Sequence, residues 1–181
     1  MDSNPGVRLG GAEVIDEDIK MAEAVEIAKK ADVVVAIVGL NADWESEGYD
    51  RKTLALPGRT DELIEKVLAV NPNTVVVTQS VSTTDCTLDP SGLTARYRQG
   101  SSITLPWADS VPAILHSWYL GNATGDAIAD VLFGKKNPSG KLSLTFPKQL
   151  EDISAHGHFH SENGVLRYGE DLFVVSIPLE C

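Results

Sequence analysis

The residues best suited to chemistry lie in one short loop, positions 44–51, with the sequence Trp-Glu-Ser-Glu-Gly-Tyr-Asp-Arg. Carboxylates beside aromatic rings suit general acid–base chemistry, because partial burial against a ring such as Trp44 or Tyr49 raises a carboxyl pKa toward neutrality. Glu45 and Glu47 are the two candidates for that role, and Gly48 permits backbone angles that aim a neighbouring side chain. A solvated polar loop is the plainer interpretation, and spacing alone does not decide between the two.

The loop follows directly on residues 32–39, the most strand-like run in the chain, which has almost no alternation of apolar and polar residues. Such a run is typical of a parallel strand covered on both faces. Ligands of open α/β sheets bind beyond the carboxyl ends of the strands. The loop therefore stands where a binding or catalytic site is expected.

Helices and strands alternate along the rest of the chain. Helical spacing of apolar residues predicts helices over 16–31, 60–70 and 124–133. Apolar runs over 74–79 and 112–118 predict further buried strands, and residues 141–146 predict a last strand. His116 in the second run is interpreted as a hydrogen-bonded core residue. This alternation predicts an α/β fold, a three-layer αβα sandwich with a mostly parallel sheet and helices on both faces.

A series of short motifs accompanies the loop in a fixed order. They are residues 39–51, 56–59, 61–64, 71–77, 105–107, 118–119, 129–134, 137–142 and 145–147. Together they resemble the C-terminal α/β sandwich domain of glycoside hydrolase family 3 β-glucosidases, over about residues 5–80 and 100–174. The resemblance implies a domain that is incomplete relative to the family. It also implies a hydrolase that releases β-D-glucose from non-reducing ends of β-glucosides or cello-oligosaccharides, with retention and without a cofactor or metal.

The resemblance assigns a role to each polar or aromatic residue of the loop. It makes Glu47, in the Glu-Gly-Tyr-Asp-Arg motif, the catalytic acid/base, with Glu45 as the second choice. It places Trp44, Glu45, Tyr49 and Asp50 at the substrate. Trp44 would stack on a sugar face, with ordinary loop packing as the alternative, and Asp50 would form a local ion pair with Arg51.

Retaining glycoside hydrolysis needs a second carboxylate as nucleophile. In the resembled family that group is an Asp in an N-terminal (β/α)8 barrel, and no matching Ser-Asp-Trp motif occurs here. The chain is therefore expected to hold half an active site, to be inactive alone, and to need the missing barrel as partner. The rival hypothesis is a non-catalytic, flavodoxin-like binding module. The carboxylate-rich loop speaks against it, because carboxylates repel phosphate.

Two stretches do not match the periodicity around them: residues 81–99 and the tail 175–181. Each begins Val-Ser, which the intron start GTRAGY can encode, and the first ends in Gln, which the intron end CAG can encode. Joining Ser80 to Gly100 restores the family pattern. We therefore expect both stretches to be intron-derived. Residues 16–174 are then the family 3 domain, and residues 1–15 the exit of an inserted β-sandwich module or a linker.

Composition narrows the range of partners. The formal net charge of −11 argues against nucleic acid and against anionic membranes, and no apolar run is long enough to predict a transmembrane helix. Residues 1–5 have neither the basic start nor the apolar core of a signal peptide, although the resemblance implies that the parent enzymes are secreted. His156, His158 and His160 alternate and allow a metal site in an extended strand, but a solvated loop is the favoured interpretation.

Overall fold

The computed structural model describes residues 16–41, 44, 51–80, 101–118, 120–142, 144–157, 163–165 and 167–169, and it describes the backbone alone of residues 82–87, 94–99 and 158. The helices and strands within these ranges are α1 Glu17–Lys30, β1 Val34–Gly39, α2 Thr60–Val70, β2 Thr74–Gln79, β3 Ser82–Thr87, β4 Thr94–Gln99, β5 Ala113–His116 and α3 Thr124–Leu132. Short 3-10 helices occupy Ala108–Ser110, Gly121–Ala123, Leu150–Asp152 and His156–His158. No helix in these ranges is long and apolar enough to cross a membrane.

The first helix begins and ends where its charges predict. The side chain of Asp16 accepts hydrogen bonds from the backbone N–H groups of Asp18 and Ile19, at 3.0 and 3.4 Å, and so caps the N-terminus of α1. Acidic residues occupy the first turn and lysines the last, which complements the helix dipole. The predicted helix over 16–31 is confirmed as α1.

Side-chain contacts hold α1 against α2, the helix that follows β1. Arg59, at the N-terminal end of α2, forms ion pairs with Asp18 of α1 at 2.6 Å and with Glu62 at 2.7 Å. Asn71, just beyond α2, is buried, and its side-chain amide donates to the carbonyl oxygens of Ala28 and Ala31 at 2.9 and 2.7 Å. These bonds satisfy the carbonyls at the end of α1, so the turn into β1 is fixed.

Strands β1, β2 and β5 form a parallel sheet in the order β1-β2-β5. Val38 of β1 pairs with Thr78 of β2, which in turn pairs with His116 of β5, so these three residues lie in one row across the sheet. The strands predicted over 32–39, 74–79 and 112–118 are confirmed, the middle one at its predicted bounds. The fold is an α/β sandwich with a parallel sheet, and it is a partial domain relative to the family.

Burial differs between the central strand of the sheet, β2, and the edge strand β1. Val76 and Val77 of β2 point to opposite faces and are both 0% exposed, as the prediction of a strand covered on both faces requires. On β1, Val35 and Ile37 are 44% and 62% exposed, so the same prediction is wrong for one face of that strand. The described residues supply no element that covers β1 on this side.

The opposite face of the sheet carries the main core. It is built from α2, β2 and the segment that leads to β5. Its buried members are Leu40, Leu56, Ile64, Val76, Ile103, Leu105, Trp107 and Val111, with Phe146 packed against them. The core therefore lies between this face of the sheet, α2 and the segment that leads to β5.

Two segments differ from the sequence-based expectation. Residues 81–99 include an antiparallel hairpin of β3 and β4 with Ser82 opposite Gln99, which the lack of periodicity did not predict. The strand predicted over 141–146 is wrong, because the described residues of that range belong to no strand. Instead, the backbone there makes separate hydrogen bonds to an irregular segment: Thr145 O accepts from Ser102 Oγ, and Pro147 O accepts from Leu105 N.

Candidate active site

The loop at positions 44–51 begins in a tight turn at the carboxyl end of β1. The backbone N–H of Trp44 donates to the carbonyl of Asn41 at 3.0 Å, and the Trp44 residue is 36% exposed. The ring is thus open enough to meet a ligand. Of the residues that the sequence assigns to the site, Trp44 is described, whereas Glu45, Glu47, Tyr49 and Asp50 lie outside the described residues.

The start of the loop is fixed to the neighbouring strand. The N–H of Leu40 donates to the carbonyl of Gln79 at 2.8 Å, directly beyond the last paired residues of β1 and β2. Gly39 makes this contact possible, because a Cβ at that position would overlap the carbonyl oxygen of Gln79. Leu40 itself is buried in the core, so the chain leaves the sheet in one defined direction.

The far end of the loop is fixed by Arg51. Its guanidinium donates through Nη2 to the backbone carbonyl of Ser102 at 2.7 Å, and Thr104 N donates to Leu54 O at 2.9 Å. Arg51 therefore ties the end of the loop to the segment that leads into β5. The sequence did not predict this contact; the expected partner, Asp50, lies outside the described residues.

His116 is the last residue of β5, at the same carboxyl end of the sheet, and it contacts one polar side chain and two aromatic ones. Its Nδ1 and the Oγ1 of Thr78 are 2.8 Å apart, and its ring centroid is 4.3 Å from that of Trp118 and 4.5 Å from that of Phe146. The hydrogen bond expected of His116 is confirmed, but the residue is half-buried and is not a member of the core. Burial lowers the pKa of His116 to about 4, because desolvation disfavours the imidazolium, so the ring is neutral at neutral pH.

Trp107 belongs to the core and not to the site. It is 3% exposed, and its indole N–H donates to the Asp61 carboxylate of α2 at 2.8 Å. This bond explains why a tryptophan is tolerated in the core, since a buried indole N–H needs an acceptor.

The histidines considered as possible metal ligands do not lie in an extended strand where the structure describes them. The backbone of His156 and His158 forms a short 3-10 helix, so the condition for that metal site is not met by these two, and His160 lies outside the described residues. Among the residues that the structure describes, no three metal-ligand side chains come together.

The arrangement at the carboxyl ends of these strands suits a binding site built by a loop. On one side of residues 42–50, Leu40 is bonded to the end of β2, and on the other side Arg51 is bonded to the segment that leads into β5. Sequence reasoning located the loop and missed its two anchors, the Gln79 carbonyl and the Ser102 carbonyl. Backbone acceptors carry no residue-type signal, so no motif could have revealed them.

The chain is similar to known β-glucosidases over nearly its whole length. It is 46% identical over 169 residues to a probable β-glucosidase J of Aspergillus fumigatus, covering 93% of this chain and 17% of that protein. It is 44% identical over 166 residues to a putative β-glucosidase of Schizosaccharomyces pombe, covering 92% and 18%. The chain thus spans less than a fifth of the length of these relatives.

Solved structures agree with the sequence comparison. The crystal structure of a Kluyveromyces marxianus β-glucosidase in complex with glucose matches with a TM-score of 0.73 and 43% identity, covering 90% of this chain and 17% of that one. A Bifidobacterium adolescentis family 3 β-glucosidase matches with a TM-score of 0.68 and 41% identity, covering 91% and 22%. The family model described as the glycosyl hydrolase family 3 C-terminal domain matches residues 10–175. The chain therefore belongs to glycosyl hydrolase family 3 and carries its C-terminal domain.

Proposed function

We propose that this chain supplies the acid/base half of a β-glucosidase that removes terminal, non-reducing β-D-glucosyl residues with retention. The observation that carries the proposal is the double anchoring of the loop around Glu47, through Leu40 at one end and Arg51 at the other. The likeness to proteins named β-glucosidases supports the choice of substrate class. The intact enzyme is expected to be secreted, as the family resemblance implies.

In the proposed mechanism, Glu47 acts first as an acid and then as a base. Protonated Glu47 gives its proton to the glycosidic oxygen while a carboxylate of the barrel domain attacks the anomeric carbon, which releases the aglycone and leaves a glucosyl-enzyme ester. Ionised Glu47 then removes a proton from water, which attacks the same carbon and releases β-D-glucose. Trp44, Tyr49, Glu45 and Asp50 would bind the sugar around this group.

The nucleophile of this mechanism is expected on another part of the enzyme. The relatives are more than five times as long as the region they share with this chain, and the family resemblance implies a barrel with the attacking carboxylate in the remainder. The chain alone therefore holds one of two essential carboxyl groups. We expect it to bind substrate weakly and not to turn it over.

The experiment compares the 181-residue chain with the same chain joined behind the N-terminal portion of the Aspergillus fumigatus relative. Both are assayed with a chromogenic β-glucoside, and the N-terminal portion alone is the control. Turnover is expected from the joined protein alone, because the two carboxyl groups then come together. Robust turnover by the 181-residue chain would show that it has its own nucleophile and would overturn the proposal.

A further inference from the structure

The described residues include three tryptophans in three different settings. Trp107 is 3% exposed with its indole N–H bonded to Asp61, and Trp44 is 36% exposed in the turn after β1. Trp118 is half-buried, and among the described residues no acceptor is recorded for its indole N–H. Trp118 therefore resembles neither a core tryptophan with a satisfied N–H nor a freely exposed one.

The topology brings Trp118 to the same carboxyl end of the sheet as Trp44. Strands β1, β2 and β5 are parallel, and the row that joins Val38, Thr78 and His116 is the last full row before their carboxyl ends. Trp118 lies two residues beyond the end of β5, and Trp44 lies a few residues beyond the end of β1. The two tryptophans therefore follow the two strands that flank β2. Because adjacent strands are about 4.8 Å apart, β1 and β5 are separated by about 10 Å.

The ring of Trp118 is held in a defined orientation by its neighbours. It makes an edge contact with His116, with an interplanar angle of 86°, and its centroid lies 6.0 Å from that of Phe146. His116 is itself held by Thr78 at 2.8 Å, and Thr78 is buried. An aromatic ring that is already ordered loses little conformational entropy when a ligand stacks on it.

We propose that Trp118 is a second aromatic residue that binds the glucoside, with His116 and Thr78 as its positioning residues. This inference rests on the proposed function, since it assigns a further sugar contact to the same site. The apolar C–H face of a glucosyl or aglycone sugar stacks on the indole ring, and the indole N–H donates to a sugar hydroxyl. Such a ring suits that role because it combines a large apolar surface with one polar group.

The test follows the three indole N–H signals of the 181-residue chain by NMR while cellobiose is added. Single Trp→Phe variants assign the signals, and Trp107 is the internal reference because it is buried and its N–H is already bonded. We expect saturable shifts for Trp118 and Trp44 and none for Trp107. Trp118→Ala is expected to weaken cellobiose binding, measured from the Trp44 signal, about fivefold or more.

A second variant separates positioning from folding. Thr78→Val keeps the shape of the side chain and removes the bond to His116. We expect the cellobiose-induced shift of Trp118 to shrink in this variant while the shift of Trp44 persists. If Trp118 responds to cellobiose as strongly in Thr78→Val as in the unaltered chain, His116 and Thr78 have no positioning role.

The outcomes distinguish this inference from the function on which it rests. A shift of Trp44 without a shift of Trp118 overturns the inference and leaves the proposed sugar site in place. If neither the Trp44 nor the Trp118 indole signal shifts up to the solubility limit of cellobiose, the proposed sugar site is contradicted as well. A shift of Trp107 comparable to the others shows a general solvent effect and not binding, and it also counts against the inference.

Discussion

At the scale of single residues, the carboxyl end of the sheet is organised by side chains and backbone groups that hold one another in place. Gly39 allows the close contact between Leu40 and Gln79, Arg51 reaches the Ser102 carbonyl, and His116 pairs with Thr78. None of these residues carries the proposed chemistry. They fix the positions from which the loop and Trp118 begin, and this is the support that a site on loops needs.

The partial burial of His116 leads to a prediction about pH. The pKa of His116 is about 4 in the folded chain and about 6.5 when unfolded, so between these values the unfolded chain binds more protons. Stability is therefore complete above about pH 6.5 and falls as the pH drops toward 4. Because the ring is only half-buried, solvent screening reduces the expected loss to about 1–2 kcal/mol.

The measurement is urea unfolding of the chain and of His116→Gln across this pH range. The variant keeps a hydrogen-bonding side chain that cannot be protonated, so the difference between the two proteins isolates His116 from the carboxylates that also titrate. We expect the unaltered chain to lose more stability than the variant on acidification. Parallel pH profiles for the two proteins would rule out a buried neutral histidine.

At the scale of elements, the hairpin of β3 and β4 is distinct from the parallel sheet. The strands of that hairpin pair with each other and form a sheet separate from the parallel one. On either side of it the chain is held by other contacts. Ser80 is buried, its Oγ accepts from Ser101 N at 3.3 Å, and Arg51 holds the carbonyl of Ser102. The two ends of the hairpin are therefore close enough to be joined directly.

We expect deletion of residues 81–99 to leave the fold intact. Joining Ser80 to Gly100 should need little movement, because Ser80 and Ser101 are already in hydrogen-bond contact. The thermal midpoint of the shortened chain is expected to be equal or higher, since a 19-residue loop, 99 − 81 + 1, no longer has to be ordered. Circular dichroism, thermal denaturation and the bonded Trp107 indole signal are the readouts.

Two results would bear directly on the origin of the hairpin. A shortened chain that does not fold would mean that residues 81–99 are part of the core and not an insertion. Independently, sequencing of the spliced transcript tests the proposal that these codons are intron-derived, and their presence in mature message would refute it. The same transcript tests the proposed origin of residues 175–181.

The elements differ in how well their sequences predict them. The helix Thr60–Val70 and the strand Thr74–Gln79 were predicted at their observed bounds. Apolar periodicity marks the two elements, and Asn71 directly after the helix marks where it stops. The strand expected over 141–146 failed, because its alternating pattern fits a strand but no neighbouring strand pairs with it among the described residues. A sequence pattern reports what a segment prefers, whereas pairing depends on what the rest of the chain brings beside it.

The candidate site likewise combines features that the sequence predicts with features that it does not. Residue types predict a site in the loop at 44–51 that includes Trp44, because carboxylates and a tryptophan after a buried strand are visible in sequence, and this stays a prediction. The anchors at Gln79 and Ser102 are backbone carbonyls, and the setting of His116 depends on a partner 38 positions away in the chain. Long-range contacts of this kind have no local signal, so they required the structure.

At the scale of the whole molecule, the chain is a partial domain with an incompletely covered sheet. Val35 and Ile37 lie exposed on one face of β1, although the same strand is buried on its other side by the core. The relatives extend far beyond the region they share with this chain. We therefore expect the isolated chain to self-associate through this face, because exposed apolar patches promote association.

The double substitution Val35→Thr and Ile37→Thr tests this expectation. It should raise the monomeric fraction in sedimentation velocity and leave the circular dichroism spectrum unchanged, because both side chains are exposed. Val76→Thr is the matched control on the buried face, where it should destabilise the fold by about 1–3 kcal/mol and not improve solubility. Equal self-association of the unaltered and doubly substituted chains would contradict the expectation.

We propose Glu47 as the acid of a site shared with a barrel domain, and a leaving-group comparison tests this role most directly. In the joined enzyme, Glu47→Gln is assayed on a β-glucoside with a poor leaving group and on 2,4-dinitrophenyl β-glucoside, whose leaving group needs no protonation. We predict that kcat/KM, which reports formation of the glucosyl-enzyme, falls about 10²- to 10⁴-fold on the first substrate and little on the second, whereas Glu45→Gln should have a small effect on both. On the second substrate kcat should still fall, because release of glucose needs Glu47 as the base. Undiminished activity of Glu47→Gln on the poor leaving group, or the large loss appearing in Glu45→Gln instead, would contradict the account.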